Sequence, residues 1–128
     1  MDIKLKTIIL ECRNIPQLLS FYTGLLHWPV VFEIDTFVGI HSMEEDIGIA
    51  FQYDKNYISP TWPSQPGQQQ MMSHLDFAVT DISELKEATE KAIELGARIA
   101  NGQYGGEEWV TMLDPAGHPF CFVVWNHE

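Results

Sequence analysis

The sequence SHLDFAVTDISELKEATEKAIELGARI, residues 73–99, contains a strand followed by a helix. Leu75, Phe77 and Val79 alternate with His74, Asp76 and Ala78, which is the pattern of a strand with one buried face. Asp81 is a natural N-cap, and Glu84 three residues later predicts a capping box. The apolar stripe of the helix consists of Leu85, Ala88, Ala92 and Leu95. Gly96 is the residue that ends the helix. The stretch predicts a strand, a helix covering one side of a sheet, and a returning strand at 97–100.

The same unit occurs earlier in the chain. Residues 7–14, TIILECRN, align with residues 74–81, HLDFAVTD, at an offset of 67. Asn14 caps a helix over 15–26, with Pro16 in its first turn. After the helices the offset becomes 69, and His27 stands where Gly96 stands, so the first helix ends on a residue less suited to that turn. The repetition predicts two copies of one strand–helix–strands module.

Further strands follow each helix. The pattern predicts a first strand at 3–12, then strands at 28–34, 37–41 and 47–53, and in the second module at 97–100, 109–113 and 119–125. Residues 55–70 lose all periodicity and are rich in proline and glutamine, which is typical of a linker or a flap. We therefore expect a single domain over 1–128, with module one at 1–54, a linker at 55–72 and module two at 73–128.

Composition excludes several classes of function. The 128 residues are 45% hydrophobic, with a formal net charge of −11, which argues against nucleic acid or an anionic membrane as a partner. No apolar run approaches membrane-spanning length and no targeting segment is seen, so a cytoplasmic location is expected by default. Cys12 and Cys121 lie within apolar strands and are expected to be buried, reduced thiols.

Three segments carry a resemblance to a known family: Phe21-Tyr22 on the first helix, LLHWPV after it, and DPAGHPFCF near the end. Together with the doubled module they resemble the vicinal oxygen chelate superfamily, in its glyoxalase-like and bleomycin-resistance-like branch. The resemblance implies an α+β fold of two βαβββ modules, whose curved mixed sheets enclose a cup-shaped cleft, usually in a homodimer. It leaves function open, because the superfamily includes lyases, epimerases, dioxygenases, thiol transferases and non-catalytic binders.

The same resemblance implies where a metal would be held. Metal-using members place His and Glu ligands on the inward faces of the first and last strands of each module. The His positions fall on Thr7 and His74, and the Glu positions on Gln52 and Cys121. Only His74 matches, and neutral Thr and Gln oxygens bind divalent metals weakly. We therefore expect no metal and no cofactor, although a soft metal held by His74, Cys121, Gln52 and Thr7 is conceivable.

The strand faces that point away from the helices provide an inventory of the cleft independent of any family. These faces mix apolar groups with a few polar ones, as ligand sites do. A carboxylate beside His74 would form a general acid–base pair or a structural ion pair. Tryptophans are candidate walls. The predicted ligand-binding residues are Thr7, Glu11, Gln52, His74, Asp76, Trp109, Cys121 and Trp125.

Two functions from different classes follow from this inventory. The first is a metal-free binder of a cationic or neutral aromatic molecule, since the predicted cleft carries carboxylates and tryptophans. The second is a metal-dependent lyase or dioxygenase that uses His74 with atypical partners. A nucleophilic enzyme based on Cys121 is a weaker third, because no basic residue lies near it in sequence. No catalytic residue is assigned, and the sequence does not name a substrate.

Overall fold

A computed structural model describes residues 1–125 of the chain. The chain divides into two compact units, one formed by Met1–Tyr57 and one that begins at Ile58. Within the described residues, each unit contains one helix and four strands, which confirms the predicted α+β class and the doubled element order. The elements are β1 (Thr7–Cys12), α1 (Ile15–Leu26), β2 (Val30–Ile34), β3 (Phe37–His41), β4 (Gly48–Tyr53), β5 (Leu75–Val79), α2 (Ile82–Glu94), β6 (Arg98–Ile99), β7 (Trp109–Leu113) and β8 (Pro119–Val124).

Both sheets have the same topology. The strand order is β1-β4-β3-β2 in the first unit and β5-β8-β7-β6 in the second. The first strand of each unit pairs in parallel with the last, and the other neighbours are antiparallel, so both sheets are mixed as expected. A helix can connect parallel strands only by crossing over the sheet, which explains why each helix covers one face. The cup-shaped cleft expected between the modules stays a prediction.

The first unit has an aromatic core between α1 and its sheet. Phe21 and Tyr22 are almost completely buried, and their rings meet edge to face at 4.9 Å. The Tyr22 ring stacks on Phe51 of β4 at 5.6 Å. Aromatic pairs at these separations add to the stabilisation that burial supplies. The Phe21-Tyr22 dipeptide of the first helix is therefore a core element.

The second unit has a cluster of phenylalanines at the same place. Phe120 and Phe122 of β8 meet edge to face at 5.4 Å, and Phe77 of β5 lies 5.9 Å from Phe120. Leu85 and Ala92 of α2 are also buried, as the predicted helical stripe requires. Since side chains alternate along a strand, the residues between these phenylalanines face the other side of the sheet.

Both helices begin at the predicted caps. The Asn14 side chain accepts a hydrogen bond from the Gln17 amide at 3.0 Å, and Asp81 accepts one from the Glu84 amide at 2.8 Å. The Glu84 carboxylate reaches back to the Thr80 amide at 3.0 Å, one residue before the position that a standard capping box would use. Local hydrogen bonding therefore determines where each helix starts.

The helix ends differ as the sequence predicts. Gly96 follows α2 with a φ of 117°, a conformation that side chains rarely adopt. His27 ends α1 in the left-handed region, with φ 59° and ψ 32°, and its amide donates to the Thr23 carbonyl at 2.9 Å. It is the only non-glycine residue with a positive φ among residues 1–125. The first helix therefore ends with local backbone strain that glycine would avoid.

The pairing registers correct the predicted equivalence of the last strands. Ile9 of β1 pairs with Ala50, and the equivalent residue of β5, Asp76, pairs with Cys121. Ala50, rather than Gln52, therefore holds the place in the first unit that Cys121 holds in the second. A shift of two residues leaves every side chain on its original face, which is why the alternation pattern did not reveal it.

Several element bounds also differ from the prediction. The first strand begins at Thr7 instead of residue 3, and β8 ends at Val124, before Trp125. The predicted linker has no helix or strand, but from Ile58 onward its residues belong to the second compact unit. The Ser59 hydroxyl donates to the Ala116 carbonyl at 2.7 Å, which ties the segment to the turn before β8. No helix among residues 1–125 is both long and apolar enough to cross a membrane.

Candidate functional site

The second unit contains a cavity of about 390 Å³ on one face of its sheet. This volume lies within the range of small-molecule sites, roughly 300–1,000 Å³. Three strands contribute to the cavity, together with the 58–72 segment and the loop before β7. The lining residues are Trp62, His74, Asp76, Tyr104, Trp109, Thr111, Cys121 and Val123.

The strand pairing aligns the polar lining residues in a row. Asp76 of β5 pairs with Cys121 of β8, which pairs in turn with Thr111 of β7. Trp109 and Val123 form the next row on the same face. Neighbouring strands lie about 4.8 Å apart, so paired side chains of one row can contact each other directly. The site is therefore assembled by the sheet itself.

His74 and Asp76 form the predicted pair. The His74 Nε2 atom lies 3.0 Å from a carboxylate oxygen of Asp76, and both side chains are partly exposed, by 38% and 48%. The two residues are adjacent on one face because they are two positions apart in an extended segment. Partial exposure screens the attraction between them, so the pair positions the two side chains more than it stabilises the fold.

Cys121 is the buried member of the row. Its side chain is 7% exposed, and its Sγ atom lies 3.3 Å from the Thr111 hydroxyl, within hydrogen-bond distance for sulfur. Burial raises the pKa of the Cys121 thiol above its ordinary value, and the nearby Asp76 carboxylate raises the pKa further, against the opposing effect of Thr111. The thiol is therefore held in its protonated, unreactive form, which argues against the nucleophilic role considered for Cys121.

The loop between β6 and β7 places two aromatic rings at the cavity. A side chain on Gly105 would come within 2.5 Å of the Trp109 ring, so the indole packs directly against the glycine backbone. A side chain on Gly102 would meet the Tyr104 hydroxyl at 2.7 Å and Pro63 at 2.9 Å. The neighbouring side chains can lie this close to the backbone only because glycine has no Cβ. The glycines of this loop therefore create the space that the rings occupy.

Gln103 holds the same loop to the sheet. Its side-chain amide nitrogen donates to the Thr111 carbonyl at 2.7 Å and to the Ala100 carbonyl at 2.8 Å. Its side-chain oxygen accepts from the Thr111 amide at 3.0 Å. The Thr111 carbonyl also accepts from the Ala100 amide at 3.1 Å, whereas the Thr111 amide and the Ala100 carbonyl bond to the Gln103 side chain, which extends the pairing that the short strand β6 begins. Gln103 therefore positions both the loop and the Thr111 end of the polar row.

Trp62 brings the 58–72 segment to the cavity. Its indole Nε1 atom is buried and has no hydrogen-bond partner within the described part of the chain. A buried donor without a partner is costly in a native protein and is a reason to look for a missing acceptor. Trp62 is therefore a wall of the cavity that also has an unused donor.

The predicted site residues of the first unit form a separate arrangement. The Gln52 side-chain nitrogen donates to the Glu11 carboxylate at 2.9 Å, and the two residues pair between β1 and β4. Thr7 lies four residues before Glu11, about 13 Å along the strand, and pairs with Gly48. Glu11 and Gln52 are thus brought together, whereas Thr7 stands apart from them.

Four of the eight predicted residues line the cavity of the second unit, namely His74, Asp76, Trp109 and Cys121. Trp125 does not line it: its side chain is 52% exposed, and its amide donates to the Val79 carbonyl at 2.8 Å. The predicted set omitted the other four lining residues, Trp62, Tyr104, Thr111 and Val123. Thr111 could have been found, because it lies two residues after Trp109 on the same strand face. For Tyr104, the only signal in the sequence was its position among the glycines of a loop.

The resemblance to metal-using proteins requires a test of the donor atoms. One atom each from His74, Asp76 and Cys121 lie within 4.8 Å of one another. Imidazole, carboxylate and thiolate are zinc ligands, and catalytic zinc sites use three protein ligands. A manganese site prefers oxygen ligands, and within this set only Asp76 supplies one. The three residues fit zinc in kind and number, once the Cys121 proton is removed.

Comparison with known proteins identifies the family. The family model for the Glyoxalase-like domain matches residues 7–123. No curated protein matches the chain. A glyoxalase/bleomycin resistance protein/dioxygenase family enzyme from Burkholderia phytofirmans PsJN has a TM-score of 0.73 at 17% identity, covering 94% of this chain and 97% of its own.

Two further structures show the same fold in a fosfomycin resistance protein, FosX, from Listeria monocytogenes. One has a TM-score of 0.70 at 14% identity, covering 98% of this chain and 94% of its own. The other, a mutant complexed with Mn(II) and a dihydroxypropylphosphonic acid, has a TM-score of 0.71 at 16% identity, covering 97% of this chain and 91% of its own. Likeness at this level of identity concerns the fold, and function depends on the site. By its fold and its match over residues 7–123, the chain belongs to the glyoxalase-like family of the vicinal oxygen chelate superfamily.

Proposed function

We propose that this glyoxalase-like protein binds a small cationic or neutral aromatic molecule in the cavity of its second unit, without a metal ion. The observation that supports the proposal is the combination of three aromatic side chains and one carboxylate around a cavity of about 390 Å³. Aromatic faces attract cations and stack on other rings, and the Asp76 carboxylate adds a negative charge.

The charges of the lining residues support this choice of ligand. Within the described part of the chain, no lysine or arginine lines the cavity, so a phosphate or carboxylate would lack the bidentate or ammonium partner that usually binds it. Of the lining residues that the structure describes, only His74 can become positive, and it already contacts Asp76. The cavity therefore favours cations and neutral rings over anions.

A ligand screen tests the proposed function. We expect cationic aromatic compounds to raise the melting temperature more than small carboxylates or phosphates do. Trp109→Ala should weaken their binding about tenfold, and Asp76→Asn about fivefold or less, because a partly exposed charge is worth at most about 1 kcal/mol. Added salt should reduce only the part of the binding free energy that depends on Asp76. Isothermal titration calorimetry measures both effects.

Matched variants outside the cavity control this experiment. Trp125→Ala removes an exposed tryptophan that does not line the cavity, and Glu87→Gln removes an exposed helix carboxylate. Both should bind like the unchanged protein. If glutathione adducts or small dicarboxylates gave the largest shifts instead, the enzyme alternative would replace the binding function.

The metal-free part of the proposal has its own test. Because burial raises the pKa of the Cys121 thiol, which binds a metal only after losing its proton, we expect elemental analysis of the purified protein to find no stoichiometric Zn, Ni, Fe or Mn. One metal ion per chain that disappears in His74→Ala would contradict this expectation. If the protein holds no metal, His74→Ala should remove only the contact between His74 and Asp76.

A second candidate function is a metal-dependent lyase or dioxygenase, favoured by the cluster of His74, Asp76 and Cys121. A bound zinc ion would supply a Lewis acid that polarises a substrate oxygen. His74, Asp76 and Cys121 would serve as ligands, while Thr111 would position the sulfur through its hydroxyl. The metal analysis distinguishes this function from the first.

We also propose that the protein is a cytoplasmic homodimer. The edge strand β2 exposes apolar side chains on both faces, including Val31 at 63% and Phe32 at 52%. An exposed apolar edge strand favours pairing with another copy. The cytoplasmic location is supported by two buried cysteines that form no disulfide.

Light scattering at micromolar concentration is expected to report a dimer. Val31→Lys should shift it to the monomer, because a lysine on an edge strand opposes pairing. Ile3→Lys, at an exposed apolar residue outside the strands, is the matched control and should remain dimeric. A monomeric unchanged protein would refute the dimer.

A further inference from the structure

We propose that the group held in this cavity is a methylated ammonium, seated among Trp62, Tyr104 and Trp109 with Asp76 as its counter-ion. The inference rests on the proposed binding function and specifies its ligand class. A tertiary or quaternary ammonium presents a positive charge on an apolar surface, which suits aromatic faces better than hydrogen-bonding groups. The lining residues complement both properties, because they provide aromatic faces and one carboxylate.

The three rings come from separate parts of the second unit and are brought together by close packing. Trp109 lies on β7, and its indole packs on Gly105, where an added Cβ would be 2.5 Å from two ring atoms. Tyr104 and Pro63 both lie within 3 Å of the position of a Cβ on Gly102. Pro63 follows Trp62 directly, so the segment that carries Trp62 touches the loop that carries Tyr104. The rings are thus placed by backbone contacts that the glycines permit.

The hydrogen-bond acceptors of the cavity distinguish a methylated ammonium from a primary one. A primary ammonium has three donors and loses free energy when they are buried without acceptors. The acceptors among the lining side chains include the Asp76 carboxylate, which contacts His74 at 3.0 Å, the Thr111 hydroxyl, which lies 3.3 Å from the Cys121 sulfur, and the Tyr104 hydroxyl. A primary ammonium would therefore have to share Asp76 with His74 and Thr111 with Cys121. A quaternary ammonium has no donor to satisfy. The cavity therefore matches a cation that needs charge and contact but few hydrogen bonds.

The carboxylate contributes through its charge more than through direct contact. Asp76 is about half exposed, and among residues 1–125 it is the only acidic residue that lines the cavity. A charge in this position favours any cation over a neutral molecule of the same shape, by an amount that falls as salt rises. The aromatic contribution should persist at high salt. The two contributions can therefore be separated by experiment.

The test compares three small probes by isothermal titration calorimetry with the 128-residue chain. Choline carries a trimethylammonium, dimethylbutanol is its neutral carbon isostere, and ethanolamine carries a primary ammonium. We expect choline to bind about tenfold more tightly than either of the others, as a cation–π contribution predicts. Equal affinity for choline and dimethylbutanol, tighter binding of ethanolamine, or no binding of choline would overturn the inference.

Substitution of one ring locates the effect. Trp109→Leu keeps an apolar side chain without a π face, so the preference for choline over dimethylbutanol should fall several-fold, while the affinity for dimethylbutanol changes little. Trp125→Leu, at a tryptophan outside the cavity, should leave the preference unchanged. An unchanged preference in Trp109→Leu would also overturn the inference.

A neutral aromatic probe separates this inference from the proposed function. If indole binds with an affinity that depends on Trp109 while choline shows no advantage over its isostere, the cavity still binds small molecules and only the ammonium assignment is wrong. If none of the probes binds, the proposed function is wrong as well.

Discussion

Asp114→Ala is expected to lower the free energy of unfolding by about 2 kcal/mol, because it removes a buried carboxylate and leaves two partly buried backbone donors without their acceptor. Asp114 is 1% exposed and lies in the turn between β7 and β8. Its carboxylate accepts hydrogen bonds from the Ala116 amide at 2.9 Å and the His118 amide at 3.0 Å. This turn joins the two strands that carry Thr111 and Cys121, so the same variant should weaken ligand binding.

Two variants control the Asp114 experiment. Asp114→Asn keeps one acceptor oxygen and should cost less than half as much. Asp54→Ala removes a similar bond, from the Asn56 amide at 2.8 Å, in an exposed turn where water can replace it, and should cost about 1 kcal/mol or less. Urea unfolding monitored by tryptophan fluorescence measures all three. Equal costs for Asp114→Ala and Asp54→Ala would show that burial does not matter here.

Gly105→Ala is expected to destabilise the protein by about 2 kcal/mol, as overpacking typically does, and to weaken binding of aromatic cations as strongly as Trp109→Ala does. An added Cβ would lie 2.4 Å from the Trp109 carbonyl oxygen and 2.5 Å from its ring, so the indole or the loop must move. Both the fluorescence of Trp109 and the ligand affinity should change. The effect on binding reports the position of the ring, since no functional group is removed.

The neighbouring glycine is the matched control. Gly106 has a φ of 58° but nothing within 4 Å of an added Cβ, so Gly106→Ala should cost about 1 kcal/mol through backbone strain alone. Its ligand affinity should stay unchanged. Gly39→Ala, with only ordinary contacts at 3.9 Å, should be tolerated. If Gly105→Ala bound ligand like Gly106→Ala, Trp109 would not be the wall that we propose.

The candidate site was only partly predictable from the sequence. His74, Asp76 and Cys121 were predicted because alternation assigns each residue of a strand to a face, which requires no knowledge of the partner strand, whereas Trp109 was predicted only as a tryptophan that could form a wall. Trp125 was assigned to the site by the same pattern, but β8 ends one residue before it. Tyr104 lies in a segment without periodicity, where alternation makes no prediction.

The sequence by itself determined the elements that depend on local interactions. The two helices start at Asn14 and Asp81, where side chains bond to amides three residues away, and the strained end at His27 follows from the absence of a glycine there. The doubled module was visible for the same reason, because each copy repeats the same caps and the same alternation.

Only the tertiary structure decided which side chains meet. The register that pairs Asp76 with Cys121, and Ala50 with Ile9, depends on contacts between residues far apart in the chain, and a shift of two residues leaves the hydrophobic pattern unchanged. The placement of Trp62 beside the sheet depends on the contacts of Pro63 with Gly102 and of Ser59 with Ala116. Periodicity within one strand carries no information about the offset between two strands, and that offset is what assembles the cavity.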